Sequence, residues 1–169
     1  MKLSGGVEWA LHCCVVLTAA TAPVPAARLA ELHDVSGSYL AKQLQALSRA
    51  DLVRSVQGKA GGYVLTRSPE LITVLDVVTA IDGPQPAFVC TEIRKRGPLA
   101  APAEACTRPC PISRAMSAGD AAWRAALQAI SVADLAASVN DDYGQNTMAG
   151  ISTWLSDPTT APAGGTPSA

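Results

Sequence analysis

Val7, Leu11 and Val15 recur on one side of a helical wheel that Ser4 can cap, so the pattern predicts an α-helix from Ser4 to about Ala20. Pro23 and Pro25 end that helix and start the next. Ala26 to His33 reads as a short amphipathic helix with Leu29 and Leu32 facing inward. Asp34-Val35-Ser36-Gly37 is a turn, and Ser38 to Ala50 a third helix with Leu40, Leu44 and Leu47 at i, i+4 and i+7. The period then changes. Leu52 to Val56 reads as a strand, Gln57 to Gly62 as a glycine-rich tip, and Tyr63 to Leu65 as the returning strand. Helix, turn, helix and two-stranded hairpin, in that order, make a winged helix-turn-helix, a unit that places its second motif helix in the major groove of DNA.

The second half is helical around one long interruption. Thr73 to Ile81 is a fourth helix, closed by Gly83-Pro84. Residues 83–109 are rich in Pro and Ala and form a long loop, a feature that in a compact domain is functional or disordered. From Pro111 to Ile130, Ile112, Met116, Trp123, Leu127 and Ile130 draw an apolar stripe suited to a two-fold dimer seam or to core packing. A short helix begins at Ser131, residues 140–155 give no clear pattern, and the Pro-, Gly- and Thr-rich end from 156 predicts disorder. The expected fold is mainly α with a small β-hairpin wing. Its parts are a winged helix-turn-helix over 1–82, a ligand-bearing loop over 83–110, a dimerisation helix region over 111–139 and a C-terminal extension over 140–169.

Composition sharpens this reading only locally. In 169 residues the formal net charge is −1, yet Lys42, Arg49, Arg54, Lys59 and Arg67 stand against Asp51 alone in segment 38–67. A local basic patch is the footprint of phosphate contact. The apolar run Ala10 to Ala20 is broken by Glu8 and His12 at its edge and preceded by a single Lys, a poor secretory leader. Nor is any apolar stretch long enough to cross a bilayer. The expected location is therefore the cytoplasm, where five cysteines favour metal or redox chemistry over structural disulfides. With His12 and His33 the only histidines and no nucleophile elbow, phosphate loop or HExxH pattern, an enzyme is not expected.

Certain residues carry a family likeness. Met1-Lys2-Leu3-Ser4, Ser36-Gly37-Ser38-Tyr39-Leu40, the run Asp51 to Leu65 with its Gly61-Gly62-Tyr63 wing, and Leu75-Asp76-Val77-Val78 with Ile81-Asp82-Gly83 resemble the Rrf2-type bacterial regulators. The likeness spans about residues 1–139 and looks closest to the redox-sensing iron–sulfur branch. It implies a homodimer on a double-stranded DNA operator, with no membrane partner. The groove-reading residues it implies are Ser36, Ser38, Tyr39, Lys42 and Gln43, with Gln57 and Lys59 at the wing tip. Hydroxyls and Lys suit phosphates, and Gln can pair with adenine. For Tyr39 a core-packing role stands beside the DNA role.

The resemblance also implies a cluster-bearing loop with three cysteines. Cys90, Cys106 and Cys110 supply the number but not the close family spacing, and Ser113 stands where some relatives have His. Glu8 and His12 are four apart and share a helical face, and some relatives direct an acidic residue at the Glu8 position to the partner's cluster. The expected cofactor is thus a 2Fe–2S cluster held by Cys90 and Cys110 of one chain and Glu8 and His12 of the other, with Cys106 a further candidate. Mixed ligation has a precedent in Rieske centres. Trp9, between the two helix ligands, is the expected redox-linked packing residue, and Cys13 and Cys14 are expected to be plain apolar helix residues. The alternative is a metal-free regulator that switches through a Cys106–Cys110 disulfide.

Overall fold

A computed structural model describes residues 3–58 and 60–157. Disorder was expected from residue 156, but Ser156 ends a helix; the residues from 158, like Lys59, lie outside the described residues. Among the described residues, seven α-helices and one antiparallel hairpin run in the order α1 (Gly5–Thr18), α2 (Ala26–Leu32), α3 (Gly37–Arg49), β1 (Val53–Val56), β2 (Gly62–Leu65), α4 (Val74–Asp82), α5 (Pro111–Gln128), α6 (Val132–Tyr143) and α7 (Thr147–Ser156). This is the winged helix-turn-helix with appended helices. Among the described residues, no helix is long and apolar enough to cross a membrane.

Local chemistry explains most boundaries. Ser36 caps α3, its Oγ accepting from the Tyr39 amide. Thr73 with Asp76 and Ser131 with Asp134 form full capping boxes at α4 and α6. Ser4 stands at the α1 N-cap as expected, but its side chain makes no capping bond. It donates instead to Asp82 at the end of α4, which also accepts from the Ser4 amide at 2.9 Å. The last helix, α7, falls in the stretch 140–155 that shows no clear sequence pattern: Asn146 stands at its N-cap but makes no side-chain capping bond.

One core joins the three helices of the motif to the wing. Leu29, Leu40, Leu44, Leu47, Leu52, Val53, Ile72, Val77 and Val132 are buried together with Cys13 and Cys14. The wing is paired within itself and tied by its return strand to the body. β1 and β2 pair from Val53–Leu65 to Val56–Gly62, and Tyr63 exchanges two backbone hydrogen bonds with Val24. Gly62 is obligatory there, since a Cβ would sit 2.3 Å from the Val24 carbonyl carbon.

The α5 stripe divides. Trp123 and Leu127 pack with Leu135 on a small cluster of Val7, Val74 and Val78. Toward its start, Ile112 is 67% and Met116 44% exposed. Arg124 ties α5 to the loop that precedes it, pairing with Asp120 at 2.7 Å and donating to the Pro84 and Gln85 carbonyls.

Candidate DNA interface and metal centre

On α3 the period of the buried leucines leaves the opposite face to solvent. Ser38, Lys42, Gln45 and Arg49 lie on that face at i, i+4, i+7 and i+11, all exposed. Ser36 is exposed too, although its hydroxyl is engaged in the cap and lies 3.3 Å from the Ser38 hydroxyl. Gln43 departs from expectation. It is 5% exposed and faces α1, where its amide abuts Gly6 so closely that a Cβ there would meet Oε1 at 2.6 Å. Its side chain is thus spent inside the molecule, and Gln45 is the glutamine that faces outward. The i+7 step from Ser38 was the available signal. Gln57 is exposed at the wing tip, as expected of a residue there.

Tyr39 is packed on one side and open to solvent on the other. It is 42% exposed, and its ring meets Trp9 edge-on at 6.5 Å with an interplanar angle of 87°. Trp9 is the hub of an aromatic group, with His33 at 6.0 Å and His12 at 6.4 Å, while the two imidazoles lie 5.4 Å apart. His33, at the end of α2, was not singled out from sequence. Burial lowers its pKa, with the neighbouring His12 adding to the shift, and its Nε2 is buried without a hydrogen-bond partner. These contacts join the helix that bears Glu8 and His12 to the exposed face of α3.

The long loop brings two of its three cysteines together. Cys90 Sγ and Cys110 Sγ are 3.9 Å apart and, with Phe88, Val89, Ile93, Arg94 and Ile112, line an apolar cavity of about 410 Å³. Cys110 is the N-cap of α5, and its sulfur accepts from the Ser113 amide at 3.2 Å. That hydrogen bond is the first cause of a thiol pKa held below its usual value, with a smaller contribution from Arg94. Ser113, which stands where some relatives have His, therefore acts through its backbone. Arg94 pins the loop by bonding Glu92 at 2.9 Å and the Arg108 carbonyl at 2.6 Å, and Glu92 itself takes a left-handed φ of 53°. Cys106 ends a 3₁₀ turn, Ala103–Cys106, and is partly exposed.

Glu8 and His12 occupy the same outer face of α1, and both are exposed. Among the described residues no group of three or more His, Cys, Asp or Glu side chains converges within one chain. Cys13 and Cys14, by contrast, are fully buried, and burial pushes both thiols up to about 12. They are core residues, as the sequence suggested.

With this geometry in view, comparison with known proteins is informative. The profile of a family described as "Rrf2: Iron-dependent Transcriptional regulator" matches residues 3–138. The HTH-type transcriptional regulator IscR of Sodalis glossinidius is 40% identical over 76 residues, covering 45% of this chain and 46% of that protein. IscR of Aliivibrio salmonicida is 38% identical over 92 residues, covering 53% and 55%. The chain thus aligns with about half the length of these curated relatives. Among solved structures, CymR, the global cysteine regulator of B. subtilis, superposes with a TM-score of 0.64 at 23% identity, covering 82% of this chain and 98% of that one. T. potens IscR gives 0.60 at 20% identity, covering 87% and 91%. At these identities the structures speak for the fold.

Proposed function

Because the chain belongs to the Rrf2 family of transcriptional regulators, we propose that it acts as a homodimer that binds an operator duplex and reports redox state through a 2Fe–2S cluster. Cys90 and Cys110 of one subunit would hold the cluster with Glu8 and His12 of the other. The observation that carries this reading is the Cys90–Cys110 separation of 3.9 Å. Two thiolates on one tetrahedral metal, at bonds of ~2.3 Å, lie roughly 3.8 Å apart. The pair therefore fits a common iron without rearrangement, and the cavity beside it is apolar. The other two donors face outward from the same helix, which suits completion by a second chain. An exposed apolar start to α5, immediately after Cys110, supplies a surface for that chain to cover.

When bound, the cluster would supply a one-electron couple at the subunit boundary. The chain's own residues do the rest. The Ser113 amide favours the thiolate form of Cys110. Trp9 touches His12 on one side and Tyr39 on the other, so a change in His12 is felt on α3. Ser38, Lys42, Gln45 and Arg49 face the groove, with Lys42 and Arg49 suited to phosphates and Gln45 to a base edge. A dimer reads half-sites about one helical turn apart, so a small tilt of either α3 alters the fit.

A second reading keeps the DNA interface and dispenses with iron. The sulfur brought to Cys110 is that of Cys90 rather than Cys106, so a thiol switch would use the Cys90–Cys110 pair. Closing 3.9 Å to a bond of about 2.0 Å would release two protons and pass two electrons to a small-molecule disulfide, which leaves as two thiols.

Purification without oxygen separates the two. The expected product is coloured, with two iron and two sulfide per site, and His12→Ala alters its visible absorption and EPR spectra. Protein free of iron and sulfide that still changes its DNA affinity with oxidant would overturn the cluster and favour the thiol pair. An unchanged spectrum in His12→Ala would remove His12 from the ligand set.

A further inference from the structure

Arg28 is buried in α2, the first helix of the DNA-reading motif, with 7% exposure. A buried guanidinium is costly unless its charge and donors are met. Glu31, one turn along the same helix, pairs with it at 2.9 Å. Two more contacts come from far along the chain, both from α7. The Trp154 carbonyl accepts from Arg28 Nη2 at 2.6 Å, and the Trp154 ring lies under the guanidinium at 3.6 Å from its centroid. Carbonyl acceptance and ring stacking together suit arginine and not lysine.

α7 is itself well anchored. Ile151 and Leu155 pack against the main core. The turn from α6 is fixed by Gly144 at φ 115°, with the Met148 amide bonded to Asn140 Oδ1 at 3.0 Å. α6 packs on α1, the helix of Glu8, Trp9 and His12. Packing therefore runs from α1 through α6 to α7, and the Arg28–Trp154 contact carries it on to α2, apart from the direct contact of α1 with α3. α2 has only seven residues, too few to be held by its own helix stability. The family match ends at residue 138, so α7, the last link of this second path, lies beyond it.

We propose that α7 is a strap, locked by Arg28 and Trp154, that fixes the helix-turn-helix to the α1–α6 pair, making Arg28 and Trp154 positioning residues for operator half-site spacing. The proposal rests on the reading of the chain as a dimeric DNA-binding regulator. Neither residue faces the α3 surface that meets DNA. Their effect is on the angle at which α2 presents α3. Loosening the lock lets each α3 sample a range of orientations, which weakens binding to the correct spacing and relaxes rejection of a wrong one.

The test uses the full chain and a DNA duplex selected from a random library by the wild-type protein. Affinity is measured for that duplex and for one with a base pair inserted between half-sites. Hydrogen–deuterium exchange of the α2 amides is followed on the same samples without DNA. Trp154→Ala and Arg28→Met are each expected to weaken binding to the selected duplex about tenfold, the scale of a desolvated cation–π contact. Both should narrow the gap between the two spacings. Trp154→Phe keeps an aromatic face and should stay within about threefold of wild type, while the double variant should be no weaker than Arg28→Met alone, since without the guanidinium the Trp154 ring has no cation to stack on. Should Trp154→Ala fail to fold, Arg28→Lys retains the charge, loses the stack, and gives the same readouts. Faster α2 exchange in these variants is expected irrespective of DNA, and unchanged α2 protection would sink the strap. Faster exchange with wild-type affinity at both spacings would leave a purely structural contact and overturn the positioning role. A wild-type protein that selects no sequence, with α2 exchange still loosened, would instead refute the DNA-binding premise and the spacing role with it while leaving the lock intact.

Discussion

At the N-cap of α5, Cys110 shows how one backbone amide sets the chemistry of one sulfur. The Ser113 N–H stabilises the thiolate, so at neutral pH more of Cys110 is ionised than of an ordinary cysteine, and the excess disappears as pH rises past the usual value of 9.0. Cys13 and Cys14 sit at the other extreme, at about 12. Reduced, metal-free protein treated with iodoacetamide at pH 7 should thus be alkylated first at Cys110 and last at Cys13 and Cys14. Peptide mass mapping over time reads the order, and equal rates at all three would contradict the environments described. The sequence pointed to Cys110 through its place before a helix. It misassigned Gln43, because one residue's rotation about α3 depends on where α1 packs, and Gly6 leaves room for that amide only in the folded molecule.

Among the elements, the wing is the clearest from sequence and the most exacting in structure. Alternating residues and a glycine-rich tip announce a hairpin. Its docking, however, relies on the backbone of Val24 approaching Gly62 more closely than any side chain allows. Gly62→Ala is expected to destabilise the protein by roughly 1–3 kcal/mol, as overpacking does. Gly37→Ala, at a site with nothing within 4 Å, should be neutral or slightly stabilising. Urea unfolding of both variants checks the contrast, and equal stabilities would rule out the close approach. α6 and α7 show the opposite balance. α6 has a full capping box and was still read too short, and the N-cap residue of α7 makes no side-chain cap. α6 owes its position to packing against α1 and α7, and α7 to α6 and to the contact of Trp154 with Arg28, and propensity alone cannot report that.

For the whole molecule, the decisive question is which chain supplies each ligand. If Cys90 and Cys110 bind with Glu8 and His12 of the partner, a chain carrying Cys90→Ala and a chain carrying His12→Ala are each defective alone. Refolded together, they form mixed dimers in which one of the two sites has all four ligands. A statistical mixture makes half of the dimers mixed, so about a quarter of the native absorbance per dimer should return. No recovery on mixing would place all the ligands within one chain. By itself, the sequence determined the motif helices, the hairpin, the loop and the outward pairing of Glu8 with His12, because helical and strand periods are local and hydrophobic burial enforces them. Only tertiary structure decided that Cys90 meets Cys110 across nineteen intervening residues, that Trp9 stands between His12 and Tyr39, and that Arg28 is locked by Trp154. Those meetings join residues far apart in the chain. Loop path and helix packing bring them together, and no spacing rule along a single strand of sequence encodes either.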